Sequence, residues 1–192
     1  MGGRLNTASP REAAVALRAG KVALVPTETV VGLVAAESGL PRVREIKGRE
    51  ADKPIAMLCS SAEEAFALVE KVPPLARKLG EKYWPGPLTL VMDLPDGGTV
   101  GVRVPAGRTV REVLVAYGEP LFATSANLSR ERDASSVESV DPRVLTAVDV
   151  VVEGEAGSGE ASAVVDLSCG RVRLLRATKE LTEEGLRRLW NQ

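Results

Sequence analysis

The sequence predicts an α/β fold built on a mixed β-sheet with flanking helices, and three observations predict it. Short apolar runs such as Val22-Ala23-Leu24-Val25 and Val100–Val104 are interspersed with helix-length segments that carry start and stop signals. The two kinds of segment mix without strict alternation, which argues against a purely parallel, doubly wound sheet. The 192 residues are 44% hydrophobic but only 3% aromatic, enough for one core resting on Val, Leu and Ala.

Along the chain, Ser9-Pro10-Arg11-Glu12 opens the first helix. Ser9 is placed to cap, Pro10 fits the first helical position and Glu12 closes a capping box. Gly20 stops it. Val22–Val25 reads as a buried strand, Thr27–Gly32 as a polar loop and Arg42–Ile46 as a short helix. A charged loop over Lys47–Pro54 leads to a strand at Ile55–Cys59. Ser60 and Ser61 ahead of Glu63 and Glu64 start a helix expected to reach about Lys71. Pro73-Pro74 starts the next, ending near Tyr83, and Trp84-Pro85-Gly86-Pro87 is a rigid turn.

Strands are expected at Leu88–Met92 and Val100–Val104, around a turn at Pro95–Gly98. Helix follows at Thr109–Tyr117, then strand at Leu121–Thr124 and a polar Ser125-Ala126-Asn127 turn. Arg130–Val137 is polar. Asp141-Pro142 starts a helix before a strand at Val148–Val152, and Glu153–Glu160 is a Gly-rich acidic loop. Ala163–Leu167 and Val172–Leu175 read as a hairpin around Ser168-Cys169-Gly170, and Leu181–Trp190 as a final helix. No repeat or linker divides the chain, so residues 1–192 are expected to form one domain.

Composition excludes several chemistries. There is no histidine, which removes His general bases, Ser-His-Asp and Cys-His nucleophiles and His metal sites. Cys59 and Cys169 alone make neither a zinc site nor a disulfide framework, and both thiols are expected to be buried or inert. With 25 basic and 26 acidic residues the net charge is −1, so sequence-independent binding to long nucleic acid is not expected as the main role. Met1–Thr7 lacks the apolar run of a signal peptide, and no apolar stretch is long enough to span a bilayer. The expectation is a cytoplasmic protein without membrane contact.

Polar clusters fall at strand ends. Thr27-Glu28-Thr29 follows the first apolar run, Lys47, Arg49 and Lys53 precede the second, Thr99 and Arg103 bracket the strand from Val100, and Thr124, Ser125 and Asn127 follow Leu121. Strand-end loops are where open α/β sheets bind ligands, and cations beside hydroxyls suit a phosphate-bearing one. Neither G-x-x-x-x-G-K-S/T nor G-x-G-x-x-G is present. Taken singly, each cluster has a plainer reading. Lys47, Arg49 and Lys53 read as a solvated loop among Glu45, Glu50 and Asp52, Thr27 and Thr29 as turn formers, and Ser125-Ala126-Asn127 as a turn or cap.

Together the segments resemble a known family. Pro26-Thr27-Glu28-Thr29-Val30-Val31-Gly32-Leu33 resembles the P-T-D/E-T-x-Y-G-L opening of the YrdC/TsaC family. Lys47-Gly48-Arg49 resembles its K-x-R, Trp84-Pro85-Gly86-Pro87-Leu88-Thr89 its W-P-G-P-L/V-T, and Val102-Arg103-Val104-Pro105 its V-R-x-P. Ser125-Ala126-Asn127 resembles its S-x-N and Ser162-Ala163-Val164-Val165-Asp166 its S-T-V-V-D, with Arg176 closing a strand as in the family. The matches keep the family order from about residue 7 to 176.

The resemblance implies a YrdC-like domain, a twisted mixed sheet with a concave ligand site, and a threonylcarbamoyl-AMP synthase. In that reaction threonine and bicarbonate give a carbamate that attacks the α-phosphate of ATP and releases pyrophosphate. The activated group then passes, through a downstream transferase complex, to adenosine 37 of tRNA. Carried over, Lys47, Arg49, Ser125 and Asn127 are the catalytic K-x-R and S-x-N positions. Thr27 and Ser162 contact threonine. Lys47, Arg49, Thr99, Arg103, Ser125 and Arg176 hold ATP, with Mg²⁺ as cofactor and no protein-held metal. This chemistry needs no enzyme nucleophile and no histidine base, because the carbamate is already anionic. Two departures stand out: Val31 in place of tyrosine removes aromatic packing on the ligand, and Ala163 in place of threonine removes a hydroxyl. The alternatives are an RNA-binding relative, using Arg42, Arg44, Lys47, Arg49 and Lys53, or a paralogue that adenylates a different carbamate.

Overall fold

The computed structural model describes residues 6–48, 55–128 and 131–191. A two-residue strand β1 (Thr7–Ala8) leads into α1 (Pro10–Arg18), which opens on the predicted capping box. The Ser9 hydroxyl accepts from the Glu12 N–H, and the Glu12 carboxylate accepts from the Ser9 N–H. Then come β2 (Val22–Val25), β3 (Gly32–Ala35), α2 (Leu40–Lys47), β4 (Ala56–Leu58), α3 (Ala62–Ala67), α4 (Pro74–Tyr83), β5 (Leu88–Asp93) and β6 (Thr99–Arg103). The chain continues through α5 (Arg108–Tyr117), β7 (Leu121–Ser125), α6 (Pro142–Ala147), β8 (Val150–Val152), β9 (Ala163–Asp166), β10 (Arg173–Arg176) and α7 (Glu183–Trp190).

Among the described residues the strands form one mixed sheet in the order β1-β8-β2-β3-β7-β4-β6-β5-β9-β10. The pairs β1/β8, β2/β8, β4/β6 and β5/β9 are parallel and the remaining neighbours antiparallel. The sheet is covered unevenly. Around β2, β3 and β8 both faces are packed. Ala23, Val25 and Val34 meet Leu17 of α1 and Val110, Val113 and Leu114 of α5, while Val22, Leu24, Leu33 and Ala35 meet Val43 and Ile46 of α2 and Val144 of α6. Around β5, β6 and β9 one face is packed. Leu88, Leu90, Met92, Val100, Val102, Ala163 and Val165 meet Leu79 of α4 and Leu186 of α7. The alternate residues, Thr89, Val91, Thr99, Gly101, Arg103 and Val164, line a cleft. The strand period of two thus sends one set of side chains to the core and the other to the cleft.

Several expectations need correction. The polar loop ends earlier than read, because β3 begins at Gly32 and is buried on both faces between β2 and β7. Its leading glycine weakens the strand signal, and pairing on both sides overrides it. Lys47 belongs to the last turn of α2, not to a loop. The helix ends on Gly48, whose φ of 58° is left-handed and open to glycine without strain. The rest of that charged loop, with Arg49 and Lys53, lies outside the described residues.

The helix from Ser61 stops at Ala67, short of Lys71, because Glu70 donates its N–H to the Asp93 carbonyl and so serves the end of β5. Cys59 is buried, and burial with the Glu64 charge pushes its thiol up to about 12, but Cys169 is exposed. Val31 packs in the core with Val22, Leu33 and Ala35, and Ala163 packs against the α4 side of the sheet. Neither lines the cleft, so both substitutions alter core packing and not the ligand surface.

Candidate active site

The cleft holds about 320 Å³ and lies over the centre of the sheet. Its floor is made of small residues, Gly32, Ala56, Gly101 and Ala123, contributed by β3, β4, β6 and β7. Small side chains there leave room for a ligand to lie close against the sheet. The walls are polar: Thr27, Thr29, Thr89, Thr99, Arg103, Ser125, Asp133, Ser162 and Arg176.

One wall is a network centred on Arg103, which is 7% exposed. Its Nε donates to the Gly86 carbonyl at 3.1 Å, inside the Trp84–Pro87 turn whose Trp84-Pro85 bond is cis. Its Nη2 donates to Glu28 Oε1 at 2.6 Å and to Thr29 Oγ1 at 3.0 Å. The second Glu28 oxygen accepts the Gly107 N–H at 2.9 Å, at the N-cap of α5. Burial alone would raise the Glu28 carboxyl, but the Arg103 charge and the N–H groups of Ala106 and Gly107 outweigh it and hold it below its usual range.

The threonines have a fixed sense. Thr27 Oγ1 donates to the Val30 carbonyl at 2.6 Å and accepts the N–H groups of Thr29 and Val30. With that proton committed, Thr29 Oγ1 is the donor in the 2.9 Å contact between the two hydroxyls. The Gly-rich strap after β8 seals this loop: Ser158 donates its N–H to the Glu28 carbonyl and Gly159 to that of Thr29. Gly157 passes so close that a Cβ there would stand 2.3 Å from the Thr29 carbonyl oxygen, so no larger residue fits.

A second cluster joins Lys47, Ser125 and Asn127, of which Ser125 lines the cleft. Lys47 is 2% exposed, which rules out the solvated-loop reading for it. Its Nζ donates to the Ser125 carbonyl at 2.6 Å and to Asn127 Oδ1 at 2.7 Å. The Ser125 hydroxyl also donates to Asn127 Oδ1, at 2.6 Å. At the far end, Arg176 Nε donates to the Ser162 carbonyl at 2.5 Å, and Ser162 Oγ meets Thr89 Oγ1 at 2.9 Å. Arg176 forms no salt bridge among the described residues. Burial lowers its pKa, the Asp133 charge opposes this, and the Arg103 charge lowers it further. It stays protonated at neutral pH, so the cleft brings two cations within mutual repulsion.

Six of the nine residues given site roles from sequence line this one cleft, Thr27, Thr99, Arg103, Ser125, Ser162 and Arg176, together with Thr29 and Thr124 of the same polar clusters. Lys47 and Asn127 stand behind Ser125 and fix it, and Arg49 lies outside the described residues. Thr27 shapes the loop, and its hydroxyl proton is not available to a ligand. From sequence, Thr89 is only the end of the Trp84–Thr89 motif, without a role, and Asp133 is not anticipated. Thr89 is legible in retrospect as the polar member of the alternating Leu88-Thr89-Leu90 run, whereas nothing local marks Asp133. Among the described residues no group of three or more His, Cys, Asp or Glu side chains is arranged to hold a metal ion, and no helix is long and apolar enough to cross a membrane.

Residues 15–178 match the Sua5/YciO/YrdC family, described under the heading of telomere recombination. The chain belongs to that family. Threonylcarbamoyl-AMP synthase of Pyrococcus abyssi is 35% identical over 171 residues, which are 82% of this chain and 50% of that protein. The enzyme of the same name from Xanthomonas axonopodis pv. citri is 31% identical over 175 residues, 83% of this chain and 94% of that protein. A crystal structure of P. abyssi Sua5 complexed with L-threonine superposes with a TM-score of 0.86 at 32% identity, over 94% of this chain and 56% of that one. The chain thus spans about half the length of the P. abyssi relative and nearly all of the Xanthomonas one.

Proposed function

We propose that the chain forms threonylcarbamoyl-AMP and pyrophosphate from L-threonine, bicarbonate and ATP, a nucleotidyl transfer that supplies N6-threonylcarbamoylation of adenosine 37 in tRNA. The observation that carries this reading is the Arg103–Arg176 pair. Arg103 is ion-paired with Glu28 and Arg176 has no salt bridge among the described residues, so the two cations lining one 320 Å³ cleft favour an anion there, and a phosphate chain with a carboxylated amino acid is such an anion. Threonine is the amino acid bound by the P. abyssi relative, and threonylcarbamoyl-AMP synthase is the name of relatives that this chain matches along most of their length.

The residues divide the work by chemistry. Arg103 and Arg176 offset negative charge as it grows on the phosphates. Ser162 and Thr89, hydrogen-bonded to each other, orient the amino acid carboxylate beside Arg176. Lys47 holds the Ser125–Asn127 turn rigid and adds a third positive charge behind it. Arg49, two residues after Lys47, is assigned to the phosphates as well. Alignment of an anionic carbamate with the α-phosphate then suffices, without an enzyme nucleophile. Mg²⁺ accompanies ATP and lowers the charge on its phosphates. The donor set of the cleft suits a metal carried by the nucleotide, since Asp133 is the carboxylate among its lining residues.

The test is pyrophosphate release by the purified protein with ATP, Mg²⁺, bicarbonate and each amino acid in turn. Release is expected to require both threonine and bicarbonate. Release that needs neither, or none at all, overturns the reading.

A further inference from the structure

Glu28 does not line the cleft, yet its carboxylate holds Arg103, which does. Its carboxylate bridges Arg103 Nη2 and the Gly107 N–H, so β6, the 26–31 loop and the start of α5 meet on one side chain. Its backbone is fixed as well, since its carbonyl accepts from Ser158 in the strap. Glu28 and Gly86 together use Arg103 Nη2 and Nε, while Nη1 makes no hydrogen bond among the described residues. Arg103 lines the cleft, and Nη1 is the guanidinium nitrogen that Glu28, Thr29 and Gly86 leave unengaged.

We propose that Glu28 is a positioning residue for nucleotide binding: it locks the Arg103 guanidinium so that Nη1 is presented to the phosphates. The proposal rests on the adenylate-forming reading of the same cleft. The carboxylate is required because both of its oxygens face donors. A glutamine would accept from one and present its own N–H groups to the other, leaving a buried donor opposed by a donor. Arg103 would then lose its charged partner and be fixed only by the Gly86 carbonyl and the Thr29 hydroxyl, and its presentation to the cleft would be lost.

The experiment measures binding of a non-hydrolysable ATP analogue with Mg²⁺ by calorimetry, for the wild type, Glu28→Gln, Arg103→Ala and the double variant, with a thermal melt of each. Glu28→Gln is expected to melt cooperatively and bind the analogue about tenfold more weakly or worse. Because Glu28 acts through Arg103, the double variant is expected to bind as Arg103→Ala does, so the two losses do not add. The charge-retaining Glu28→Asp is expected to recover most of the affinity, and it decides the matter if Glu28→Gln does not fold. Unchanged binding by Glu28→Gln, additive losses, or Glu28→Asp as weak as Arg103→Ala overturns the proposal. If the wild type binds the analogue but releases no pyrophosphate with threonine and bicarbonate, the reaction is wrong and these affinities still decide the role of Glu28. A wild type that does not bind the analogue overturns both.

Discussion

The β2–β3–β8 region and the β5–β6–β9 region of the sheet are built from similar apolar strands but finished differently. In the first, helices cover both faces and every strand residue is buried. In the second, helices cover one face and the other is given to the cleft. Most of the polar side chains that are buried serve this cleft: Thr27, Thr29, Thr89, Arg103 and Ser162 line it, and Lys47 and Asn127 are bonded to Ser125 in its wall, whereas Ser168 and Thr178 lie outside its lining. Burying polar groups costs free energy unless each is hydrogen-bonded, and here the costs are offset by a network that also fixes the cations. The first region supplies stability and the second spends part of it on a charged, pre-organised surface.

The comparison breaks most visibly on stability. Leu24→Ala, in the doubly covered region, is expected to cost about 2–5 kcal/mol, because a fully buried side chain leaves a cavity. Val91→Ala, which faces the cleft and is partly exposed, is expected to cost about 1 kcal/mol or less. Denaturant midpoints of the two variants measure the difference, and equal losses would erase the distinction between the regions.

A cleft cation is expected to show the opposite balance. Arg176→Ala should lower threonine-dependent pyrophosphate release by about 100-fold or more. Its melting midpoint should hold or rise, since a partly buried cation that repels Arg103 has been removed. A variant that is both unstable and fully active would reverse the assignment.

The subtlest effect is one of pH. The folded Glu28 carboxyl titrates below its usual range, so it binds a proton more weakly folded than unfolded. The stability it contributes is therefore complete above the unfolded value, about 4.3, and is lost as pH falls through the lower folded value. The gap in melting midpoint between wild type and Glu28→Gln should be constant from pH 7 to about 5 and close below 4. A gap independent of pH would mean that shape, and not charge, is what Glu28 provides.

Much of this was legible in the chain. The capping box at Ser9 and Glu12, the Pro73-Pro74 helix start and the Trp84–Pro87 turn depend on neighbours a few residues apart, and each formed as read. The ordered motifs located most of the cleft. What misled was tertiary. Val31 and Ala163 occupy motif positions, yet both pack in the core while their neighbours Val30 and Val164 face the cleft, Val31 at the end of a loop and Ala163 by the alternation of β9. Lys47, among charged neighbours, reads as solvated until Ser125 and Asn127 are folded over it.

By itself, the sequence determined a protein without histidine chemistry, an α/β mixed sheet and a set of hydroxyls and cations placed at strand ends. Those follow from composition and short-range periodicity. Only the tertiary structure decided that Arg103 is held by Glu28, 75 residues away, and Lys47 by Ser125, 78 residues away. It also decided that the Thr27 proton is committed to Val30 and that Asp133 and Arg176 line the same cleft. Hydrogen-bond partners at such separations are chosen by which strands lie side by side, and strand order is a property of the whole sheet that no local segment encodes.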